Sequence, residues 1–248
     1  MPEGPQIVYL KEQTNQFIGQ ELISIEGSVI ASNEKNLAGQ SLIDIKTFGK
    51  EILFCFTRVT IRVHLMLFGR YAIDGEMNRK LTLELEFENG RINFYASSCR
   101  LIEAPVETIY DWSVDVMSAS FDERRAVIKL QGKPQQFICD ALLDQNILAG
   151  VGNKIKNEVL FRRQVHPLSK VKDVPEAKLR ELVKECVTVS KQYFQWKRDA
   201  LDEEKWLVYK KTTCPRDGVL LVVEKLGRSK RSCYFCEQCQ QLYDDQNA

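Results

Sequence analysis

The sequence contains no apolar run long enough to cross a bilayer, and its first residues carry neither the basic nor the apolar segment of a secretory signal. Those absences predict a cytoplasmic protein with no membrane partner. An excess of either charge is also missing, since 35 basic residues stand against 34 acidic ones. Overall charge therefore gives no argument for a polyanionic partner, and any such argument must rest on local clusters. Internal repeats and low-complexity tracts are absent as well. What is present is an ordinary globular composition, 44% hydrophobic and 28% charged over 248 residues, with room for two domains.

The eight cysteines fall into two groups. Cys55, Cys99, Cys139 and Cys186 are scattered through apolar or mixed segments and read as reduced, partly buried thiols. Cys214, Cys233, Cys236 and Cys239 crowd near the end, where a metal or redox role is needed to explain them.

Hydrophobic period divides the chain in the same way. A weakly patterned helix is expected from Gly4 to about Gly19. After it, Ile61, Val63 and Leu65, and then Leu81, Leu83, Leu85 and Phe87, alternate with polar residues, and Asn89-Gly90 offers a hairpin turn. Residues from roughly 20 to 105 thus predict an antiparallel sandwich or barrel. Beyond about residue 115, FDERRAVIKL, QQFICDALLDQNIL, NKIKNEVLFRRQ and VPEAKLRELVKECVTVSKQYF read as helices separated by GKP and AGVG. In the last of these, Leu179, Leu182, Val183, Cys186 and Val187 share a face. The charged stretch KRDALDEEKW reads as a linker to the cysteine-rich end. The fold class expected is α+β, with a β-sandwich domain over 1–114, a helical domain over 115–204 and a finger-like hairpin over 205–248.

Two stretches are locally basic. Lys154 to Lys170 holds five basic residues against one acidic, and Lys210 to Arg231 holds seven against two. Each alone reads equally well as a solvated face or as a nucleic-acid contact. The first follows AGVGN, whose glycines leave N–H groups at a helix start open to an anion.

The opening MPEGP raises a separate point. Proline behind Met1 permits removal of the methionine, which would leave Pro2 as a terminal secondary amine. A terminal amine has a pKa of about 8 against about 10.4 for lysine, so part of it is nucleophilic near neutrality. Glu3 stands beside it as a proton donor or acceptor, although taken alone the two residues read more readily as an ordinary frayed end.

MPEGP, HLMLFGR, LLDQNILAGVGN, and CPRDG with CYFCEQCQ resemble, in that order, the signature segments of the formamidopyrimidine-DNA glycosylase and endonuclease VIII family. The resemblance runs from Met1 to about Gln240. It implies a helix-two-turn-helix domain and a zinc finger in the second half, and a monomer acting on double-stranded DNA with damaged bases or abasic sites. By resemblance, Pro2 forms an imine with the sugar and Glu3 moves protons. Lys50, Asn153 and Arg231 match the residues that hold the phosphate beside the lesion. Met66, Leu67 and Phe68 match the loop that fills the gap left by an extruded base; continuing strand alternation would instead put Leu67 in the core.

The sequence departs from the family pattern in two places. Gln6 stands where the family usually carries glutamate. The finger reads C-x2-D-x18-C-x2-C, so zinc is expected on Cys214, Asp217, Cys236 and Cys239, with Cys233 as a substitute fourth ligand and a zinc-free hairpin also open. A short segment before the finger and Ile155, where purine-specific members commonly carry tyrosine, resemble the endonuclease VIII branch and its preference for oxidised pyrimidines. A catalytically weakened family member that binds damaged or abasic DNA without cleaving it is the alternative.

Overall fold

The computed structural model describes residues 1–27, 37–201 and 204–244. The chain forms two compact units, Met1–Asp111 and Trp112–Ala248.

The first unit begins with helix α1 (Gly4–Thr14), which ends in a single tighter turn over Asn15–Phe17. Eight strands follow: β1 (Leu22–Glu26), β2 (Leu42–Phe48), β3 (Glu51–Phe56), β4 (Thr60–His64), β5 (Arg70–Ile73), β6 (Leu81–Phe87), β7 (Gly90–Tyr95) and β8 (Ser98–Ile102). They make two four-stranded antiparallel sheets, in the orders β2-β3-β4-β8 and β1-β6-β7-β5. The period-two expectation holds in β6, where Leu83, Leu85 and Phe87 are buried and the intervening residues are not. Ile61 and Val63 of β4, Phe54 of β3 and Phe94 of β7 join them in one core with Ile7 and Leu10 of α1. The Phe54 and Phe94 rings meet edge to face at 5.8 Å. Each such side chain withdrawn from water is worth about 1.5–3 kcal/mol.

The second unit contains α2 (Glu123–Gln131), α3 (Ile138–Ala141), α4 (Asn153–Arg162), α5 (Glu176–Arg198) and a hairpin of β9 (Val222–Leu226) and β10 (Arg231–Phe235). Helix α4 packs on α5 and on β10, and α2 packs on α5. The buried face of α5 runs through Leu179, Leu182, Val183, Cys186, Val189 and Tyr193, while Val187 is only partly covered. Cys233 and Phe235 of the hairpin are part of the same core as these helices.

Two expectations need correction. The long helix read over QQFICDALLDQNIL is one turn, Ile138–Ala141, because side chains downstream take over the backbone's bonding. The Gln145 amide donates to the carbonyls of Leu143 and Val151 at 2.8 and 3.0 Å and accepts from the Gly150 N–H at 3.1 Å, while Asp144 accepts from the Asn146 N–H. Those bonds hold open turns rather than a helix. The stretch read as a linker is not one at either end. Lys197 and Arg198 complete α5, and Trp206 is buried against Tyr193, Trp196 and Tyr209; Asp202 and Glu203 lie outside the described residues.

Candidate active site and metal centre

In the first unit, Glu3 is the N-cap of α1 and Pro5 sits in its first turn, where a missing N–H costs nothing. Glu3 is 3% exposed although it stands at the chain terminus, whereas Met1 is 43% exposed. Gln6 occupies the third helical position and its amide oxygen accepts the Glu3 N–H at 3.1 Å, forming a capping box. A glutamine supplies that acceptor as well as a glutamate does, which accounts for residue 6 through helix capping.

Lys50 follows Gly49 in the tight turn between β2 and β3, where Gly49 adopts φ +56°. Across the sheet from this turn, Glu51 pairs with His64 in register and forms an ion pair with Arg62, and Tyr110 donates to Glu51 at 2.9 Å. His64 is a residue that sequence reasoning passed over. Burial lowers its pKa; Glu51 opposes that, and Arg62, Lys50 and the amino terminus reinforce it. Its Nδ1 accepts the Met66 N–H at 3.0 Å, so the neutral ring carries its proton on Nε2. The amino terminus, Lys50 and His64 therefore share one electrostatic neighbourhood. The signal for His64 was its place at the head of HLMLFGR, which a reading centred on the apolar residues did not use.

The chain turns out of β4 immediately after Leu65. Leu65 is buried, but Met66, Leu67 and Phe68 are 45%, 43% and 69% exposed, with Met66 at φ +51°. Gly69 makes this loop possible, since a Cβ there would lie 1.8 Å from the Leu65 carbonyl oxygen.

In the second unit the loop ending in Gly152 presents Asn153 at the first position of α4. The Asn153 amide donates to the Ser232 carbonyl at 3.0 Å, next to Arg231, which is exposed at the start of β10. Lys156 and Asn157 donate to the same carbonyl at 3.3 and 3.1 Å. The basic stretch from Lys154 is largely turned inward. Lys154 donates to the Tyr193 hydroxyl at 3.1 Å and stands over the Tyr193, Trp206 and Tyr209 rings at 5.1, 5.8 and 5.9 Å. Lys156 is fully buried, Arg162 pairs with Glu158 and Glu185, and Arg163 pairs with Glu185. The sum of charges over this stretch was thus no guide to its surface. Arg216 of the second stretch is likewise engaged, lying over the Phe161 ring at 4.1 Å and donating to the Phe161 and Arg162 carbonyls that end α4.

Cys214, Asp217, Cys236 and Cys239 bring one ligand atom each to within 4.8 Å of one another. The Asp217 oxygen lies 3.2 Å from the Cys236 sulfur and 3.4 Å from that of Cys214, and the sulfurs of Cys214 and Cys239 are 3.9 Å apart. A tetrahedron with Zn–S of about 2.3 Å and Zn–O of about 2.0 Å has edges of about 3.5 Å (S···O) and 3.8 Å (S···S), so the set fits zinc. Cys233 is outside this cluster. Its sulfur accepts from Lys156 at 3.1 Å, which removes it as a fourth ligand.

Family models of formamidopyrimidine-DNA glycosylase match the chain twice, the N-terminal domain over residues 1–101 and the H2TH domain over 112–202. Endonuclease 8-like 3 of Xenopus laevis is 30% identical, over 83% of this chain and 35% of that protein. The chain thus spans about a third of the length of that relative. Endonuclease 8 of Salmonella arizonae is 28% identical, over 97% of this chain and 100% of that protein. Among solved structures, a Lactococcus lactis formamidopyrimidine-DNA glycosylase bound non-covalently to DNA with an abasic site superposes with a TM-score of 0.85 at 22% identity, over 96% of this chain and 99% of that one. A viral DNA glycosylase gives a TM-score of 0.84 at 21% identity, over 96% and 100%. With both domains matched in chain order and the architecture reproduced from end to end, the chain belongs to the formamidopyrimidine-DNA glycosylase and endonuclease VIII family.

Proposed function

We propose that the chain is a bifunctional DNA glycosylase and abasic-site lyase of base excision repair. The observation that carries this reading is a deeply buried carboxylate, Glu3, one residue from Pro2, at a chain terminus whose amino group acts on His64 together with Lys50. Once Met1 is removed, the Pro2 nitrogen attacks the sugar carbon bearing the damaged base, and the base leaves. Glu3 moves protons to and from the opening sugar ring. The resulting iminium withdraws electrons from the adjacent carbon, and elimination of the 3′ phosphate nicks the strand.

Lys50 from the first unit, and Asn153 and Arg231 from the second, take phosphate contacts that resist the cost of extruding a nucleotide. Met66, Leu67 and Phe68 enter the vacated space in the duplex. When zinc is bound by Cys214, Asp217, Cys236 and Cys239, it supplies a structural cross-link for the hairpin and no reaction chemistry. Oxidised pyrimidines are the favoured substrates, by the endonuclease VIII-like features at Ile155 and in the short segment before the finger.

The test is borohydride trapping on duplex DNA carrying one abasic site, with the N-terminal mass determined and Pro2→Gly run alongside. A covalent adduct with processed protein that falls away in Pro2→Gly supports the imine. Bound DNA and a processed terminus with no adduct would make the chain a binding protein.

A further inference from the structure

The hairpin that carries Arg231 is fastened to the helices on both sides of that residue. After Arg231, the Ser232 carbonyl accepts from Asn153, Lys156 and Asn157, and the Tyr234 N–H donates to Asn157 Oδ1 at 3.0 Å. Before it, the chain makes a four-residue turn, Gly227 to Lys230, between the paired residues Leu226 and Arg231. The turn has left-handed residues at both ends, Gly227 at φ +68° and Lys230 at φ +49°.

Inside this turn sits the carboxylate of Asp140, from α3. Its Oδ2 accepts the Arg228 N–H at 2.7 Å and its Oδ1 accepts the Ser229 N–H at 3.0 Å. Two successive backbone donors on one carboxylate are charge-assisted bonds with a fixed geometry. The turn is shaped around the acid: a Cβ on Gly227 would lie 2.3 Å from Asp140 Oδ2 and 2.7 Å from its Cγ. No other residue type fits at position 227 while Asp140 holds this place.

An acid here is unexpected on charge alone. Lys225, Arg228, Lys230 and Arg231 outweigh Glu224 and leave the hairpin basic, and a further carboxylate among them lowers its attraction for phosphate. We propose that Asp140 is a positioning residue, which tethers the hairpin turn so that Arg231 is presented to the DNA backbone in one place. This rests on the proposed DNA-processing reading for what Arg231 touches, but not for the tether itself.

The two roles of the carboxylate predict opposite results. If Asp140 acted only through charge, Asp140→Ala would tighten DNA binding. As a tether, its loss lowers incision of abasic duplex by about tenfold, the scale expected when a pair of charge-assisted bonds is removed. Asp140→Asn, whose amide oxygen keeps one acceptor, falls between wild type and Asp140→Ala. Added to Arg231→Ala, Asp140→Ala costs less than about twofold more, because both act through the same guanidinium.

Hydrogen exchange of the Arg228 and Ser229 amides, measured without DNA, tests the tether directly. It should quicken in Asp140→Ala while the α5 amides stay protected. Unchanged exchange at those two amides, tighter DNA binding, or full additivity with Arg231→Ala would overturn the proposal. If Arg231→Ala itself incises as wild type, the reading of Arg231 fails, and the exchange result alone then decides the tether.

Discussion

The Lys156 ammonium, fully buried, lies 3.1 Å from the sulfur of Cys233 and donates to it. A buried ammonium needs a counter-charge, and the thiol is placed to supply one. Cys233 is pulled down to about 6 by the Cys139 thiol and then by Lys156, against the effect of burial, while Cys139 is pushed up by the same contact. The pair fixes β10 to α4 just behind Arg231.

Replacing Cys233 with Ser should therefore leave the buried ammonium with neutral acceptors alone, the serine hydroxyl and the Ser232 carbonyl. The expected cost is about 3 kcal/mol in urea unfolding, with most of it recovered in Lys156→Met/Cys233→Val. Because the folded thiol has the lower pKa, its contribution is complete above the unfolded value and disappears as pH falls through about 6. The stability gap between wild type and Cys233→Ser should shrink from pH 9 to pH 6. A constant gap would mean that the thiol does not ionise in the folded protein.

Gln6 should be a capping residue rather than a sign of decayed activity. Gln6→Ala removes the acceptor for the Glu3 N–H and is expected to cost about 1 kcal/mol, read as a fall in Tm. Gln6→Glu should stay within about 0.5 kcal/mol of wild type. A large gain in incision by Gln6→Glu at unchanged stability would instead give the missing carboxylate a chemical role.

One zinc per chain is expected, released to a chromophoric chelator and lost in Cys214→Ser but kept in Cys233→Ser. Asp217→Cys, which completes a four-thiolate set, should hold zinc more tightly by at least about tenfold. Retention of zinc by Asp217→Ala with wild-type affinity would remove the carboxylate from the ligand set.

The sequence was most readable where one period dominates. β6 alternates cleanly and one face of α5 repeats at helical spacing, so their elements and much of their buried faces could be read without coordinates. It was least readable where a side chain replaces a backbone partner. Gln145 ends a helix that the apolar pattern would continue, and no local propensity marks it. Charge counts failed for a related reason. Lys154, Lys156, Arg162 and Arg163 find partners far along the chain, at Tyr193, Cys233 and Glu185, and only folding reveals those. The four metal-ligand candidates were readable because three cysteines and one aspartate keep finger-like spacing, but the exclusion of Cys233 needed Lys156.

Phe68 gives the sharpest test of the loop after β4. It is 69% exposed, and its backbone is held by Gly69 and by Arg79, which donates to the Phe68 carbonyl at 3.3 Å. An exposed phenylalanine contributes little to stability, so Phe68→Ala should leave Tm within about 1 °C, the shift expected of a few tenths of a kcal/mol. If the ring fills the gap beside an extruded base, the same substitution should slow excision of an oxidised pyrimidine by about tenfold, since an apolar wedge offsets a few kcal/mol of unstacking. Cleavage at a preformed abasic site, where no base must be drawn out, should fall much less. Equal losses on both substrates would assign Phe68 to general DNA binding, and no loss on either would leave the exposed Met66-Leu67-Phe68 run without a part in extrusion.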